Sequence, residues 1–381
     1  MTKEEFIKRC EKLKSTIGSE GTLLTPEDAA LESIATEQNE FFTPSNLAFS
    51  KTAIKSILLS EESLDAFINE TEKVYGISFE KVRESNRGIR IGIIMAGNIP
   101  GVGFADLFCT LSLGFTAVVK FSSKDSYFMW ELTQKLLQSF PEFCVETPDY
   151  ILEDKLKENL GGVIFAGSNE SKSQITSKLK DIPLLCRGSR FSFGVILPNS
   201  KLTKRRAKSS DFLSIIFDAL LYFGLGCRSL TYLFVPKGFN WSPFFDYLNR
   251  INPLLDIEAW RNSLTRERAV AQLNGTKIYK YDKMQGEFSI NDDREYIIDS
   301  QDIILHKTRD TFPPLGVINF WEYDPQDENP FAVVEEFEQI HKEQIQKKYT
   351  NFGSAQLPLL TDWQDGVSTI EFLSKCTKYR Y

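Results

Sequence analysis

Between Ile89 and Gly167 the sequence switches repeatedly between two hydrophobic periods. Ile89-Arg-Ile-Gly-Ile-Ile-Met-Ala-Gly97 is a short β-rich run ending in glycine, and an apolar helical stretch follows Asn98-Ile-Pro-Gly-Val-Gly103. Ala117-Val-Val-Lys-Phe121 comes next at βαβ distance, then a helical pattern from Trp130 to Phe140 and a strand pattern at Tyr150-Ile-Leu152. Gly162-Val-Ile-Phe-Ala-Gly167 then precedes a helix opened by Ser168-Asn-Glu. Strands joined through helices return to the sheet in the same direction. The alternation therefore predicts a doubly wound, parallel α/β sheet with ligand sites at the carboxyl ends of its strands.

The flanks have a different texture. Phe6, Cys10, Leu13 and Ile17 recur at helical spacing on a stretch rich in lysine and glutamate, which predicts one buried stripe. Further helices are predicted after Thr43-Pro-Ser and from Ser60, a capping residue, so the first 85 residues read as mostly helical. Leu184 to Asn199 is another strand region, and the polar run Lys201 to Ser210 reads as a linker or exposed turn. A second α/β segment runs from Asp211 to about Tyr349 and includes a strand at Leu315-Gly-Val-Ile-Asn-Phe320. The expected organisation is a helical segment and cofactor-type α/β domain over 1–199, a catalytic-type α/β domain over 200–350, and a segment over 351–381 that folds back on another unit.

Composition narrows the function. A net charge of -7 argues against a nucleic-acid surface as the main business of the chain. The start, Met1-Thr-Lys-Glu-Glu-Phe, lacks the apolar stretch of a secretory signal, and the most apolar segments are broken by Asn98, Pro100 and Asp218. A cytoplasmic protein without a membrane span is expected. The 6 cysteines form no C-x-x-C pair, which fits reduced thiols better than disulfides or structural zinc, so no metal site is expected. With only 2 histidines, His306 and His341, a catalyst that needs a nucleophile but no histidine base gains weight.

Two motifs carry chemistry. Gly97-Asn-Ile-Pro-Gly-Val-Gly103 follows a strand and opens a helix, as a dinucleotide fingerprint does, but the third glycine is missing and Lys120 stands where an acidic residue would close the next strand. A tight β-to-α turn with Pro100 near the helix start is the other reading, and it leaves Asn98 unexplained. Leu220-Leu-Tyr-Phe-Gly-Leu-Gly-Cys227-Arg-Ser-Leu-Thr-Tyr-Leu-Phe-Val-Pro236 places one thiol between a glycine-rich turn and a strand. Cys186, in Pro183-Leu-Leu-Cys-Arg-Gly188, is its rival but lacks that turn.

Taken in order, these blocks resemble the aldehyde dehydrogenase superfamily, and more closely its acyl-CoA reductase branch, over about residues 85 to 320. The blocks are Gly97-Asn98-Ile99-Pro100, Lys120-Phe-Ser-Ser123, Phe165-Ala-Gly-Ser168 and Gly224-Leu-Gly-Cys227. The resemblance implies an aldehyde dehydrogenase-like fold, NADP as cofactor, an acyl-CoA or acyl carrier protein thioester as substrate, and a homo-oligomer. It makes Cys227 the nucleophile that accepts the acyl group and Asn98 the amide donor to the developing oxyanion, with the Cys227 backbone N–H. Lys120 and Ser123 would lie near the adenosine ribose. Gly167 and Ser168 would let the backbone approach the cofactor at a helix N-terminus, and Asp310 falls where the family has a glutamate for the nicotinamide ribose. The chain departs from that pattern at Lys172, Leu225 and Asp310.

The implied reaction is reduction of the thioester to an aldehyde. Aldehyde-oxidising members carry a water-activating glutamate in a block matching Arg187 to Phe193, whereas here no Asp or Glu occurs between Asp181 and Asp211. A cysteine acyltransferase without a redox step and a non-catalytic subunit of a reductase complex remain the alternatives.

Overall fold

The computed structural model describes residues 1–18, 26–148, 159–179, 181–204, 207–251, 255, 257–282, 287–310, 312–326, 329–341, 350–363 and 366–376. The chain forms two units, one of Met1–Ser189 with Leu357–Tyr381 and the other of Arg190–Gln356.

Among the described residues the first unit begins with the α-helices α1 (Lys3–Thr16), α2 (Pro26–Gln38), α3 (Pro44–Ala53), which continues as a π-helical turn Ile54–Leu58, α4 (Glu61–Tyr75) and α5 (Phe79–Ser85). Thr2, Thr43 and Ser60 cap α1, α3 and α4, each side chain accepting a backbone N–H of the first turn. The stripe Phe6, Cys10, Leu13 and Ile17 is fully buried. Phe6 joins four elements through its ring, lying 5.0 Å from Phe79, 6.0 Å from Phe108 and 5.7 Å from Phe140.

The alternating region then builds β1 (Arg90–Ile94), α6 (Phe104–Ser112), β2 (Thr116–Lys120), α7 (Ser126–Ser139), β3 (Val145–Glu146), β4 (Gly162–Ala166), α8 (Asn169–Lys178) and β5 (Leu184–Arg187). All four strand pairings are parallel, in the order β3-β2-β1-β4-β5. The strand expected at Tyr150–Leu152 lies outside the described residues, and the strand that pairs with β2 is Val145–Glu146. Strand order reverses between β1 and β4, so the crevice at the carboxyl ends of those two strands is the switch point where such sheets receive ligands. The C-terminal helix Thr369–Cys376 belongs to this unit and puts Ile370, Leu373 and Cys376 into its core. A Cβ at Gly162 would lie 2.5 Å from the Cys376 sulfur, so β4 and this helix are in close contact.

The second unit holds β6 (Ser192–Val195), β7 (Leu230–Pro236), β8 (Lys277–Lys280), β9 (Tyr296–Asp299), β10 (Ile304–Lys307) and β11 (Val317–Tyr323). Its sheet runs β6-β7-β11-β10-β9-β8, with β9 and β10 antiparallel and the other neighbours parallel. On one face Tyr232 and Phe234 of β7 pack with Phe191 and Phe337, the latter from helix Pro330–Ile340. The units divide at Ser189/Arg190 rather than at 199/200, because Ser192–Val195 pairs with β7 instead of extending β5.

Candidate functional site

Register places the sequence-selected residues of the first unit along one edge of its sheet. Ile94 pairs with both Lys120 and Phe165, so the segments after β1, β2 and β4 all leave the same carboxyl edge. Asn98, Ser123 and Ser168 emerge there and are exposed, while Lys120 and Gly167 are half-buried. Ser168 caps α8 by accepting the Ser171 N–H at 3.2 Å. The Gly167 N–H donates to the Arg187 carbonyl at 3.1 Å, and a Cβ at Gly167 would come within 2.6 Å of the Phe165 ring. The Gly167 N–H and the space beside its Cα are thus taken up within the unit, and it is the exposed N-terminus of α8, at a switch point, that suits the pyrophosphate of a dinucleotide.

Around Asn98 the backbone is held from outside. The Asn39 amide donates to the Gly97 carbonyl at 3.1 Å, the Ser50 hydroxyl donates to the Pro100 carbonyl at 2.8 Å, and Asp125 accepts the Gly101 N–H at 2.9 Å. A Cβ at Gly97 would lie 2.4 Å from the Ser122 hydroxyl oxygen, so β1's exit loop and β2's exit loop pack backbone against side chain. Sequence reading selected none of these supports. Each is a single polar residue whose burial leaves no periodic trace, and the serine that meets Gly97 is Ser122, next to the selected Ser123.

Beyond β5 a buried network closes the same edge. The Arg187 guanidinium donates to both carboxylate oxygens of Asp106, at 3.1 and 3.3 Å, and to the Thr369 hydroxyl at 2.8 Å. Thr369 in turn donates to Asp106 at 2.9 Å. Strand β5, the start of α6 and the C-terminal helix are thereby tied together.

Among the thiols, burial pushes those of Cys10 and Cys109 well up and that of Cys376 up to about 12, which leaves them protonated and inert at neutral pH. Cys144 is exposed just before β3, Cys186 sits within β5 opposite Phe165, and Cys227 is half-buried in the second unit.

The chain reaches Cys227 from helix Leu213–Leu220 through a turn with two consecutive left-handed residues, Phe223 at φ 55° and Gly224 at φ 73°. Phe223 is a rare side chain in that region, a conformation that costs about 1–3 kcal/mol and persists only where the surroundings hold it. Its ring packs at 5.8 Å from that of Trp260, which is itself fixed by a 2.8 Å bond from its indole N–H to the Asp302 carbonyl. After Cys227, the Ser229 hydroxyl accepts the Gly226 N–H at 3.2 Å, and β7 begins at Leu230. Behind the turn, Asp218 of the same helix accepts the Gly353 and Ala355 N–H groups.

Asp310 is exposed just beyond the carboxyl end of β10, whereas Cys227 precedes the amino end of β7 in the same sheet. The Asn319 amide donates to the Asp310 carbonyl at 2.8 Å, and the ring of Phe312, two residues on, lies 5.2 Å from that of Phe191, which precedes β6. Phe312 therefore lies toward the sheet's amino end. Among the described residues no group of three or more His, Cys, Asp or Glu side chains could hold a metal, and no helix is long and apolar enough to cross a membrane.

No protein-family model matches the chain, and no curated protein sequence does. Solved structures do. An NADP-dependent enzyme of E. coli superposes with a TM-score of 0.55 at 14% identity over 88% of this chain and 71% of its own. An aldehyde dehydrogenase of Brucella melitensis gives 0.55 at 11% identity over 88% of this chain and 70% of its own. The NAD-dependent aldehyde dehydrogenase of Sinorhizobium meliloti gives 0.54 at 14% identity, covering 88% of this chain and 68% of its own. The chain has the aldehyde dehydrogenase fold. Within that fold the first unit carries the doubly wound parallel sheet and the second a mixed α/β sheet. At such identities the likeness carries the fold and leaves each residue's role to its own chemistry.

Proposed function

We propose that the protein reduces an acyl thioester, carried on coenzyme A or an acyl carrier protein, to an aldehyde with NADPH as reductant. The observation that carries this reading is a thiol, Cys227, presented by a left-handed turn in an aldehyde dehydrogenase fold with no carboxylate between Asp181 and Asp211. The Cys227 thiolate attacks the thioester carbonyl, forming a new C–S bond as the carrier thiolate leaves and takes a proton. Asn98 supplies an amide donor where negative charge develops on the carbonyl oxygen. A bound reduced nicotinamide would supply hydride chemistry at the acyl carbon, and Cys227 would leave that carbon as a thiolate when the aldehyde is released. The N-terminus of α8, at Ser168 beside Gly167, would hold its pyrophosphate, and Lys120 with Ser123 its adenosine ribose. The branch of the superfamily that this reading selects is that of the acyl-CoA reductases.

Serine at 123 supports NADPH over NADH. A carboxylate there would repel a 2′-phosphate, whereas exposed Ser123 leaves room and Lys120 and Lys124 bring positive charge to the same edge. The deciding experiment follows NADPH absorbance with a panel of acyl-CoA esters and assays free coenzyme A in parallel. Equal consumption of NADPH and release of coenzyme A is expected. Thioester cleavage without NADPH consumption would replace this reading with a cysteine acyltransferase, and neither event with any ester would point to a non-catalytic subunit.

A further inference from the structure

Asp125 stands at the N-cap of α7, where an aspartate ordinarily accepts an N–H of its own helix, yet it makes no capping bond. Its carboxyl turns instead to the Gly101 N–H, 24 residues back in the chain, at 2.9 Å. The residue is 1% exposed, and its other oxygen, Oδ1, has no hydrogen-bond partner among the described residues. A forgone cap and an orphaned buried oxygen both cost stability, so this arrangement is retained against its local energetics. What it gains is a fixed position for one backbone amide.

That amide closes the turn carrying Asn98, and two more buried side chains grip the same turn. Asn39, 9% exposed and just after α2, holds the Gly97 carbonyl, and Ser50, 4% exposed on α3, holds the Pro100 carbonyl. The backbone on both sides of residue 98 is thus bonded to three separate helical elements. Gly101 is left-handed at φ 76°, and a Cβ there would lie 3.1 Å from the Ser50 hydroxyl and 3.2 Å from the Phe128 ring, so the turn has no slack on that side. Asn98 itself is exposed within this braced segment.

We propose that Asp125, together with Asn39 and Ser50, is a positioning group for Asn98, so that bracing this turn is shared by the start of α7 and the N-terminal helices α2 and α3. The inference rests on the reading of Asn98 as an oxyanion donor. An oxyanion donor acts only if its nitrogen is held about 2.7–3.1 Å from the oxygen on which charge develops, and a misplacement of about 1 Å forfeits the effect, so freedom in the turn is lost from turnover rather than from substrate binding. Burial pushes the Asp125 carboxyl well above the usual carboxylate range. A neutral amide of the same shape can therefore take its place, its carbonyl accepting the Gly101 N–H.

The test uses the full chain with Asp125→Ala, Asp125→Asn and Ser50→Ala, alone and on an Asn98→Ala background. Asp125→Ala should lower kcat by about 10- to 100-fold while KM for acyl-CoA stays within about 2-fold, and Asp125→Asn should recover to within about 3-fold of the parent. On the Asn98→Ala background Asp125→Ala should cost less than about 2-fold, since the donor it positions is gone. Amide exchange of the peptide containing Gly101 should speed by about 10-fold or more in Asp125→Ala and not in Asp125→Asn. Full loss on the Asn98→Ala background would overturn the positioning role, and unchanged exchange would overturn the brace itself. If Asp125→Ala does not fold, Ser50→Ala should show the same split between kcat and KM in smaller degree, and its absence would count equally against the proposal. A parent chain that forms no acyl-enzyme overturns the thioester reading alone, and exchange then decides the brace.

Discussion

Ser192 donates its hydroxyl proton to the backbone carbonyl of Cys227 at 3.0 Å, so the turn that presents the thiol is pinned to the first residue of the neighbouring strand. With Phe223 held in a left-handed conformation on the other side, the turn is fixed from both ends. Cys186, by contrast, lies within the β5 ladder.

From that difference, Cys227→Ala should abolish acyl-enzyme formation and Cys186→Ala should leave it intact. Mass spectrometry after mixing each variant with acyl-CoA reads the adduct directly, and an adduct mapping to Cys186 would reverse the assignment.

Asn98→Ala should slow turnover by about 10²–10³-fold, the loss expected for one oxyanion donor. Steady-state kinetics with saturating acyl-CoA measure it. A loss of only a few-fold would return Asn98 to the role of a turn former.

Ser123→Glu should weaken NADPH more than NADH, because the new carboxylate faces the place proposed for the 2′-phosphate. Dissociation constants for both nucleotides decide the point. A parent enzyme that prefers NADH would sink the cofactor proposal.

Aldehyde and NADP⁺ should give acyl-CoA only when free coenzyme A is present. No carboxylate between Asp181 and Asp211 is available to activate water, so the acyl-cysteine should wait for a thiol. Rapid appearance of free fatty acid without coenzyme A would reveal a hydrolytic base from another part of the chain.

Arg187→Leu should destabilise the protein by about 3–5 kcal/mol, since it strands the buried Asp106 carboxylate without its guanidinium partner. Denaturant unfolding at neutral pH provides the measurement. A change below about 1 kcal/mol would mean that Thr369 and water satisfy Asp106 unaided.

What the sequence made legible was what periodicity and capping encode. The stripe from Phe6 to Ile17, the Ser60 and Ser168 caps, and strands β1, β2 and β4 each show a repeated apolar spacing or a residue with one strong local preference. Val145–Glu146 was not legible, because two residues at the edge of a sheet carry no pattern. Neither was the crossing at Ser189, which is decided by whether β6 pairs with β5 or with β7. The supports of Asn98 escaped for another reason. Asn39, Ser50 and Asp125 are ordinary surface-type residues in composition, and only the folded chain shows that they are buried and aimed at one turn.

The second unit is inserted within the first, whose core is completed only by the helix Thr369–Cys376. A ribosome moving at about 5–20 residues per second spends roughly 10–30 s on residues 190–356 before it supplies that last helix. During that interval β4 and the Arg187–Asp106 pair wait without their final partners, Cys376 and Thr369. The inserted unit, being contiguous, can close first. Nascent chains stalled before residue 369 should accordingly protect the second unit from protease while leaving the parallel sheet of the first unit open to it, which makes the C-terminal helix the latch that sets the order of assembly.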